Sequence, residues 1–93
     1  MITIPSWMVL DKKLEQSQHE VREEITRALM KFPEFNGPHE GYAVILGELD
    51  ELWEIVRQKN KTRAGEGGQD KTAMRKEACQ VAAMAIRFMV ELT

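Results

Sequence analysis

The apolar residues of this chain recur at helical spacing in three separate stretches. Segments 11–32, 38–59 and 71–92 repeat apolar positions every three or four residues, which is the period of one face of an α-helix. No stretch alternates apolar and polar residues as a half-buried strand would. Segment 60–70 contains three glycines and no large apolar residue, so it is predicted to be a loop. The pattern predicts an all-α antiparallel helical bundle within a single domain, residues 1–93.

Prolines and capping residues mark where these helices begin and end. Pro33 disfavours helical geometry at the residue before it, so the first helix is expected to stop near Phe32. Proline is favoured at the first helical position, which places the start of the second helix at Pro38. The candidate N-cap residues for the three helices, in order, are Ser6 or Asp11, Asn36 or Gly37, and Asp70 or Thr72.

Three glutamates lie at the borders of the apolar stripes rather than on the solvated faces. Glu48 borders the stripe of the central helix, and Glu51 lies one turn further along the same edge. Glu77 borders the stripe of the last helix, where Gln80 continues that edge. The stripes expected to face the core consist of Tyr42, Ile45, Leu49, Leu52, Trp53 and Val56 in the central helix, and of Met74, Val81, Ala85, Phe88 and Leu92 in the last.

Antiparallel packing of these two stripes would bring Glu77 towards Glu48 and Glu51. Three carboxylates within about 6 Å of one another would repel by roughly 3 kcal/mol per pair at an effective dielectric constant near 20. The residues therefore leave three alternatives: the carboxylates bind a cation, their proton affinities rise, or they do not converge. A hard divalent ion such as Mg²⁺, which takes oxygen ligands and retains several waters, fits the first alternative best.

Composition restricts the class of protein. The formal net charge of -2 provides no overall attraction to nucleic acid or to an anionic membrane. The single cysteine, Cys79, excludes an intrachain disulfide, and neither a signal peptide nor a membrane-spanning stretch is apparent, so a cytoplasmic location is expected. A chain of 93 residues buries only a modest core. We therefore expect a homodimer or homotetramer, in which a second copy covers the remaining apolar faces.

The spacing of the acids resembles that of the MazG-type all-α nucleoside triphosphate pyrophosphohydrolases. Glu48-x-x-Glu51 is followed after 25 residues by Glu77-x-x-Gln80. The motif of that family is Glu-x-x-Glu, followed at similar separation by Glu-x-x-Asp on antiparallel helices. The runs FNGPHEGYAVILGELDELWEIV and RKEACQVAAMAIRF are similar to a small MazG-like branch met in bacteria and phages.

The resemblance, which covers residues 31–92, implies hydrolysis of a (deoxy)nucleoside triphosphate to a monophosphate and pyrophosphate. The ion implied is Mg²⁺, with Mn²⁺ as an alternative. Glu48, Glu51 and Glu77 would be the catalytic residues and metal ligands, with Gln80 as a further ligand. The ion would neutralise phosphate oxygens while one carboxylate orients or deprotonates the attacking water.

Further residues are candidates for substrate contacts. Arg75, Lys76 and Arg87 are the basic residues best placed by their sequence proximity to Glu77 to hold the triphosphate. Tyr42 and Trp53 are expected in the core, and stacking on the base is the alternative for both.

Two positions depart from the family pattern. Gln80 stands where the motif has Asp, and it offers a carbonyl oxygen but no charge. Gly47 stands where many members have an additional Glu beside the first acid of the motif. These departures keep open an alternative function: a catalytically degenerate MazG-like module that binds a nucleotide or a protein partner without turnover.

Overall fold

The chain forms three α-helices. A computed structural model describes residues 3–58 and 70–93. Within them α1 is Ser6–Lys31, α2 is Pro38–Arg57 and α3 is Lys71–Leu92, and these residues contain no strand. The all-α prediction is therefore confirmed. The predicted loop, 60–70, lies outside the described residues except for Asp70.

The first helix is longer than predicted, because it begins at Ser6 rather than at residue 11. Pro5 occupies the N-cap position with an extended backbone, and its carbonyl accepts a hydrogen bond from the Met8 N–H at 3.0 Å. No side chain caps this helix, so neither Ser6 nor Asp11 has the predicted role. The helix ends at Lys31, and Phe32 is already extended, as expected of the residue before Pro33.

The other two helices begin where the sequence predicts. Pro38 is the first residue of α2, after Gly37 at the N-cap position. Asp70 caps α3, where its carboxylate accepts a hydrogen bond from the Ala73 N–H at 3.0 Å. The second helix ends at Arg57, two residues before the predicted end at 59.

The last helix lies between the other two and packs against both, whereas α1 and α2 do not pack on each other within the described residues. A Cβ atom placed on Gly41, near the start of α2, would lie 2.6 Å from a ring atom of Phe88 near the end of α3. The two helices therefore run in opposite directions. Arg75 pairs with Glu20, and Arg87 binds the Pro33 carbonyl just beyond α1, so α1 and α3 run in the same direction.

A buried ion pair fixes the α1–α2 connector to α3. The Arg87 and Glu91 side chains are each only 3% exposed, and Arg87 Nε donates to Glu91 Oε2 at 2.6 Å. Arg87 also donates to the Pro33 carbonyl at 3.1 Å and lies 4.3 Å from the centre of the Phe35 ring. Glu91 in turn accepts from the Phe35 N–H at 2.8 Å. These bonds hold the connector, and with it the start of α2, against α3.

The buried core is small, and it is not the one predicted for α2. Its apolar members are Ala28, Phe35, Ala83 and Met84. Tyr42, Leu49 and Trp53 of the predicted core-facing stripe are 64%, 47% and 58% exposed. The prediction was wrong for these three residues, because α3 covers the side of α2 that carries Gly41 and Glu48.

The α3 stripe is closer to its prediction. Its five members are half-buried, and Phe88 and Leu92 pack against the core. The buried residues of α3 are Ala83, Met84 and Arg87, which the predicted stripe did not include. None of the described helices is long and apolar enough to cross a membrane.

Candidate metal centre

Three carboxylates from α2 and α3 meet at one point. Glu48 and Glu51 lie one turn apart on α2, and Glu77 lies in the second turn of α3. One oxygen of each can be chosen so that all three lie within 4.8 Å of one another. The antiparallel course of the two helices produces this meeting, because it sets the middle of α2 against the start of α3. The third alternative of the sequence analysis, that the acids do not converge, is therefore excluded by the structure.

The carboxylates perturb one another. Burial, followed by the charges of Glu51 and Glu77, raises the pKa of Glu48. Burial also raises the pKa of Glu77, together with a hydrogen bond and a charge from Glu51, while the nearby Lys76 ammonium opposes the increase. Two carboxylates within hydrogen-bonding reach require a shared proton or a cation between them. Glu48 and Glu77 therefore bind protons more tightly than isolated glutamates do.

One oxygen of the cluster has no partner. Glu77 Oε2 is buried and makes no hydrogen bond within the described part of the chain. A buried carboxylate oxygen without a donor is costly, and a bound ion or an ordered water is the usual explanation. The donor set consists only of carboxylate oxygens, which are the ligands that Mg²⁺ and Mn²⁺ prefer. The three residues therefore fit a hard divalent cation, with further coordination positions left to water or phosphate oxygens.

A fourth carboxylate, Glu24 of α1, lies beside the cluster, and the sequence analysis missed it. Its charge contributes to the raised pKa of Glu48. Burial opposes ionisation of Glu24, but hydrogen bonds from Arg27 and Gln80 outweigh burial and lower its pKa. Glu24 borders the face of α1 that packs on α3, as Glu48 and Glu77 border theirs. The criterion that selected those residues would have found it, had it been applied to α1.

Gln80 lies near both the cluster and Glu24. Its side-chain amide, one turn of α3 beyond Glu77, is close enough to the Glu24 carboxylate to help lower the pKa of that acid. The amide has a second polar atom, its carbonyl oxygen, which remains chemically suited to a metal. The role of Gln80 as a ligand stays a prediction.

Of the predicted phosphate-binding residues, Lys76 lies nearest the acids. Its charge acts on both Glu24 and Glu77. Arg75 instead forms an ion pair with Glu20 and donates to Ser17 Oγ at 2.9 Å. Arg87 is committed to the buried pair with Glu91. A groove of about 310 Å³ between α1 and α3 is lined by three basic residues, Arg27, Arg75 and Lys76, and by three acids, Glu20, Glu23 and Glu24, so its formal charges balance.

The two predicted stacking residues lie away from the acids. At about 100° per residue, Tyr42 and Trp53 project from α2 some 120–180° around the helix from Glu48 and Glu51. Both are exposed. The structure does not bring these aromatic side chains to the carboxylate cluster of the same chain.

Comparison of the chain with protein-family models, with curated proteins and with solved structures gave no match. The fold and the site define a small three-helix protein with a carboxylate cluster between α2 and α3. The particular family stays a prediction that depends on the spacing of Glu48, Glu51 and Glu77.

Proposed function

We propose that this chain hydrolyses a (deoxy)nucleoside triphosphate to a monophosphate and pyrophosphate with the help of Mg²⁺. The observation that carries the proposal is the meeting of Glu48, Glu51 and Glu77 within 4.8 Å around a buried, unpartnered oxygen of Glu77. This geometry supports a divalent cation site. The nucleotide substrate is supported by the resemblance of the motif spacing to the MazG-type enzymes.

The residues divide the work as follows. Glu48, Glu51 and Glu77 would hold the ion, which when bound would supply positive charge for the phosphate oxygens and for a nucleophilic water. The carboxylate that is least engaged with the ion accepts the proton of the attacking water. Lys76, beside Glu77, adds a positive charge that attracts the triphosphate.

The assembly belongs to the same proposal. Many large apolar side chains are exposed in one copy of the chain. An antiparallel bundle of the pyrophosphohydrolase type would therefore be completed in a homodimer or a homotetramer, where further copies cover these side chains.

The experiment that tests this function measures pyrophosphate release from a panel of triphosphates with and without Mg²⁺. Glu48→Gln and Glu77→Gln are expected to abolish turnover, while the melting temperature changes little or rises, because removal of one crowded charge relieves repulsion in the ion-free protein. The matched control is Asp50→Asn, which removes one exposed charge from the same helix. Turnover like that of the wild type in either glutamate variant would remove the assignment.

A second candidate function is a degenerate module that binds a nucleotide or a protein partner without turnover. The observation that favours it is the amide at position 80, which lacks the charge of the motif aspartate and lies near Glu24. Thermal melting separates the two functions. Stabilisation by Mg²⁺ and a triphosphate together with pyrophosphate release supports the enzyme, whereas stabilisation without product supports the module.

A further inference from the structure

The connector between α1 and α2 contains an asparagine followed directly by a glycine, Asn36 and Gly37. The backbone nitrogen of the residue after an asparagine can attack the side-chain amide carbon, because this attack closes a cyclic succinimide. A side chain on that following residue hinders the attack sterically, and glycine has none. The other asparagine of the chain, Asn60, precedes Lys61. Asn36 is therefore the asparagine with the more reactive neighbour.

The two groups that would react are accessible in the folded protein. Asn36 is exposed, so water reaches its side-chain amide. The Gly37 N–H donates no hydrogen bond to any of the residues 3–58 and 70–93. The nitrogen that must lose its proton before the attack is therefore not held by another group in this part of the chain.

The described fold does not require a glycine at position 37. The backbone there is fully extended, with φ 174° and ψ 178°, which residues with side chains also adopt. A Cβ atom placed on Gly37 would have no atom within 4 Å. Replacement of Gly37 by alanine is therefore expected to leave the helices in place while it removes the reactive dipeptide.

We propose that Asn36 is a site of non-enzymatic deamidation in the folded protein. The Gly37 nitrogen loses its proton to the solvent and bonds to Cγ of Asn36. The bond between Cγ and Nδ2 then breaks, and Nδ2 takes up a proton and leaves as ammonia. Water opens the succinimide at one of its two carbonyl carbons. One opening gives aspartate, and the other gives isoaspartate, in which the main chain continues through the former side-chain carbons of residue 36.

Either product places a new carboxylate beside Glu40, in the first turn of α2. In the unmodified chain, the Asn36 side-chain amide donates to Glu40 Oε2 at 2.7 Å, and the Asn36 backbone N–H donates to Glu40 Oε1 at 3.3 Å. Deamidation replaces the side-chain donor with a second negative charge, so an attraction becomes a repulsion. The modification therefore weakens the contact that connects residue 36 to the start of α2.

Isoaspartate has a further effect, because it lengthens the main chain at residue 36. The preceding residue, Phe35, is buried, and its N–H donates to Glu91 at 2.8 Å. A longer main chain directly after this anchor displaces the connector relative to α2. None of these residues belongs to the carboxylate cluster, so the inference does not rest on the proposed function.

The first test follows the folded full chain during incubation at mildly alkaline pH, where the Gly37 nitrogen loses its proton more readily. Peptide mass mapping is expected to show deamidation at Asn36 several-fold faster than at Asn60, with isoaspartate among the products. The matched control is Gly37→Ala, which is expected to keep the helix content of the wild type and to lose most of the modification. Deamidation of Asn36 no faster than that of Asn60, or an unchanged rate in Gly37→Ala, would overturn the proposal.

The second test measures what the modification does to the fold. Anion exchange separates the modified chain, because deamidation adds one negative charge, and its melting temperature is expected to be lower than that of the unmodified chain. Asn36→Asp has the added charge but a main chain of normal length, so we expect its melting temperature to lie between the two. A modified chain that melts at or above the temperature of the unmodified chain would contradict the proposed effect on the start of α2.

Discussion

At position 80 the chain carries an amide where the resemblance implies a carboxylate. That amide is close enough to Glu24 on the neighbouring helix to help lower the pKa of this acid. An amide donates to a carboxylate, whereas an aspartate at the same place would repel it. The charge of Glu24 in turn contributes to the raised pKa of Glu48.

This contact leads to a prediction for Gln80→Asp. In the ion-free protein we expect the variant to be less stable by about 1 kcal/mol, because a favourable contact of the amide with ionised Glu24 is replaced by a repulsion. With Mg²⁺ we expect tighter ion binding, because a charged ligand has been added. Thermal melting in EDTA and a magnesium titration measure the two effects.

The control for this prediction exchanges the two side chains. Glu24→Gln combined with Gln80→Asp restores an amide–carboxylate pair, so its stability in EDTA is expected to return towards that of the wild type. Additive losses in the double variant would show that the two side chains do not interact. An unchanged magnesium dependence of Gln80→Asp would argue that position 80 does not face the ion.

Arg87 is the residue whose structural role differs most from its predicted one. Replacement of the buried guanidinium by methionine leaves Glu91 buried without its partner, so we expect Arg87→Met to lower the free energy of unfolding by about 3 kcal/mol. Denaturant unfolding measures the loss. Arg57→Met is the control, because the pair of Arg57 with Glu54 is exposed and little change is expected.

Arg87→Met also tests the predicted contact with phosphate. If Arg87 acts only through the connector, the folded fraction of the variant retains its KM for the triphosphate. A selective increase in KM at full folding would instead support the phosphate-binding prediction.

Sequence periodicity predicted the positions of some functional candidates but not the surroundings of others. Glu48, Glu51 and Glu77 are visible because an acid at the border of an apolar stripe is unusual. Arg87 also follows an edge of its stripe, but its burial depends on Glu91 four residues on and on the Pro33 carbonyl, which is 54 positions away in the sequence. Periodicity within one helix carries no information about such a distant acceptor.

At the scale of elements, the apolar pattern of α2 predicted the start of the helix correctly and its core-facing side incorrectly. The length and start of the helix follow from its apolar repeat and from Pro38. However, the apolar surface of α2 is wider than the part that α3 covers. The sequence analysis predicted that the centre of this surface faces the core. The structure places α3 to one side, against Gly41 and Glu48, because the glycine permits close approach. The residues of so wide an apolar surface do not show by themselves which part of it a neighbouring helix covers.

Gly41 and Gly47 offer a matched pair on α2. A Cβ at Gly41 would meet Phe88 at 2.6 Å and Leu92 at 2.9 Å. We expect Gly41→Ala to lower the free energy of unfolding by about 1 kcal/mol, since overpacking exceeds the gain in helix propensity. At Gly47 a Cβ meets nothing within 4 Å, so Gly47→Ala is expected to stabilise the protein by about 0.5–1 kcal/mol. Denaturant unfolding of both variants measures the difference, and equal effects would show that α2 and α3 do not approach at Gly41.

At the scale of the whole molecule, two groups of glutamates make stability depend on pH in opposite ways. Burial and neighbouring charges raise the pKa of Glu48 and Glu77 in the folded protein. Their contribution is therefore fully present below the pKa of an unfolded glutamate, and it is lost as pH rises through the raised value. The hydrogen bond from Arg87 lowers the pKa of Glu91, although burial opposes it. The contribution of Glu91 is present at neutral pH and is lost as pH falls through the lowered value.

Replacement of glutamate by glutamine is therefore expected to raise stability at position 77 and to lower it at position 91. Glutamine resembles a protonated glutamate, so Glu77→Gln should equal the wild type in acid and become progressively more stable than it as pH rises towards neutrality in EDTA. Glu91→Gln should be less stable than the wild type at neutral pH and approach it as pH falls. Melting temperatures across the pH range measure both differences. At neutral pH, Mg²⁺ should stabilise the wild type but not Glu77→Gln, because the ion offsets the repulsion between the ionised carboxylates and the variant lacks one of them. If the advantage of Glu77→Gln over the wild type did not grow with pH in EDTA, the three carboxylates would not share the close, partly buried site from which a divalent ion is inferred.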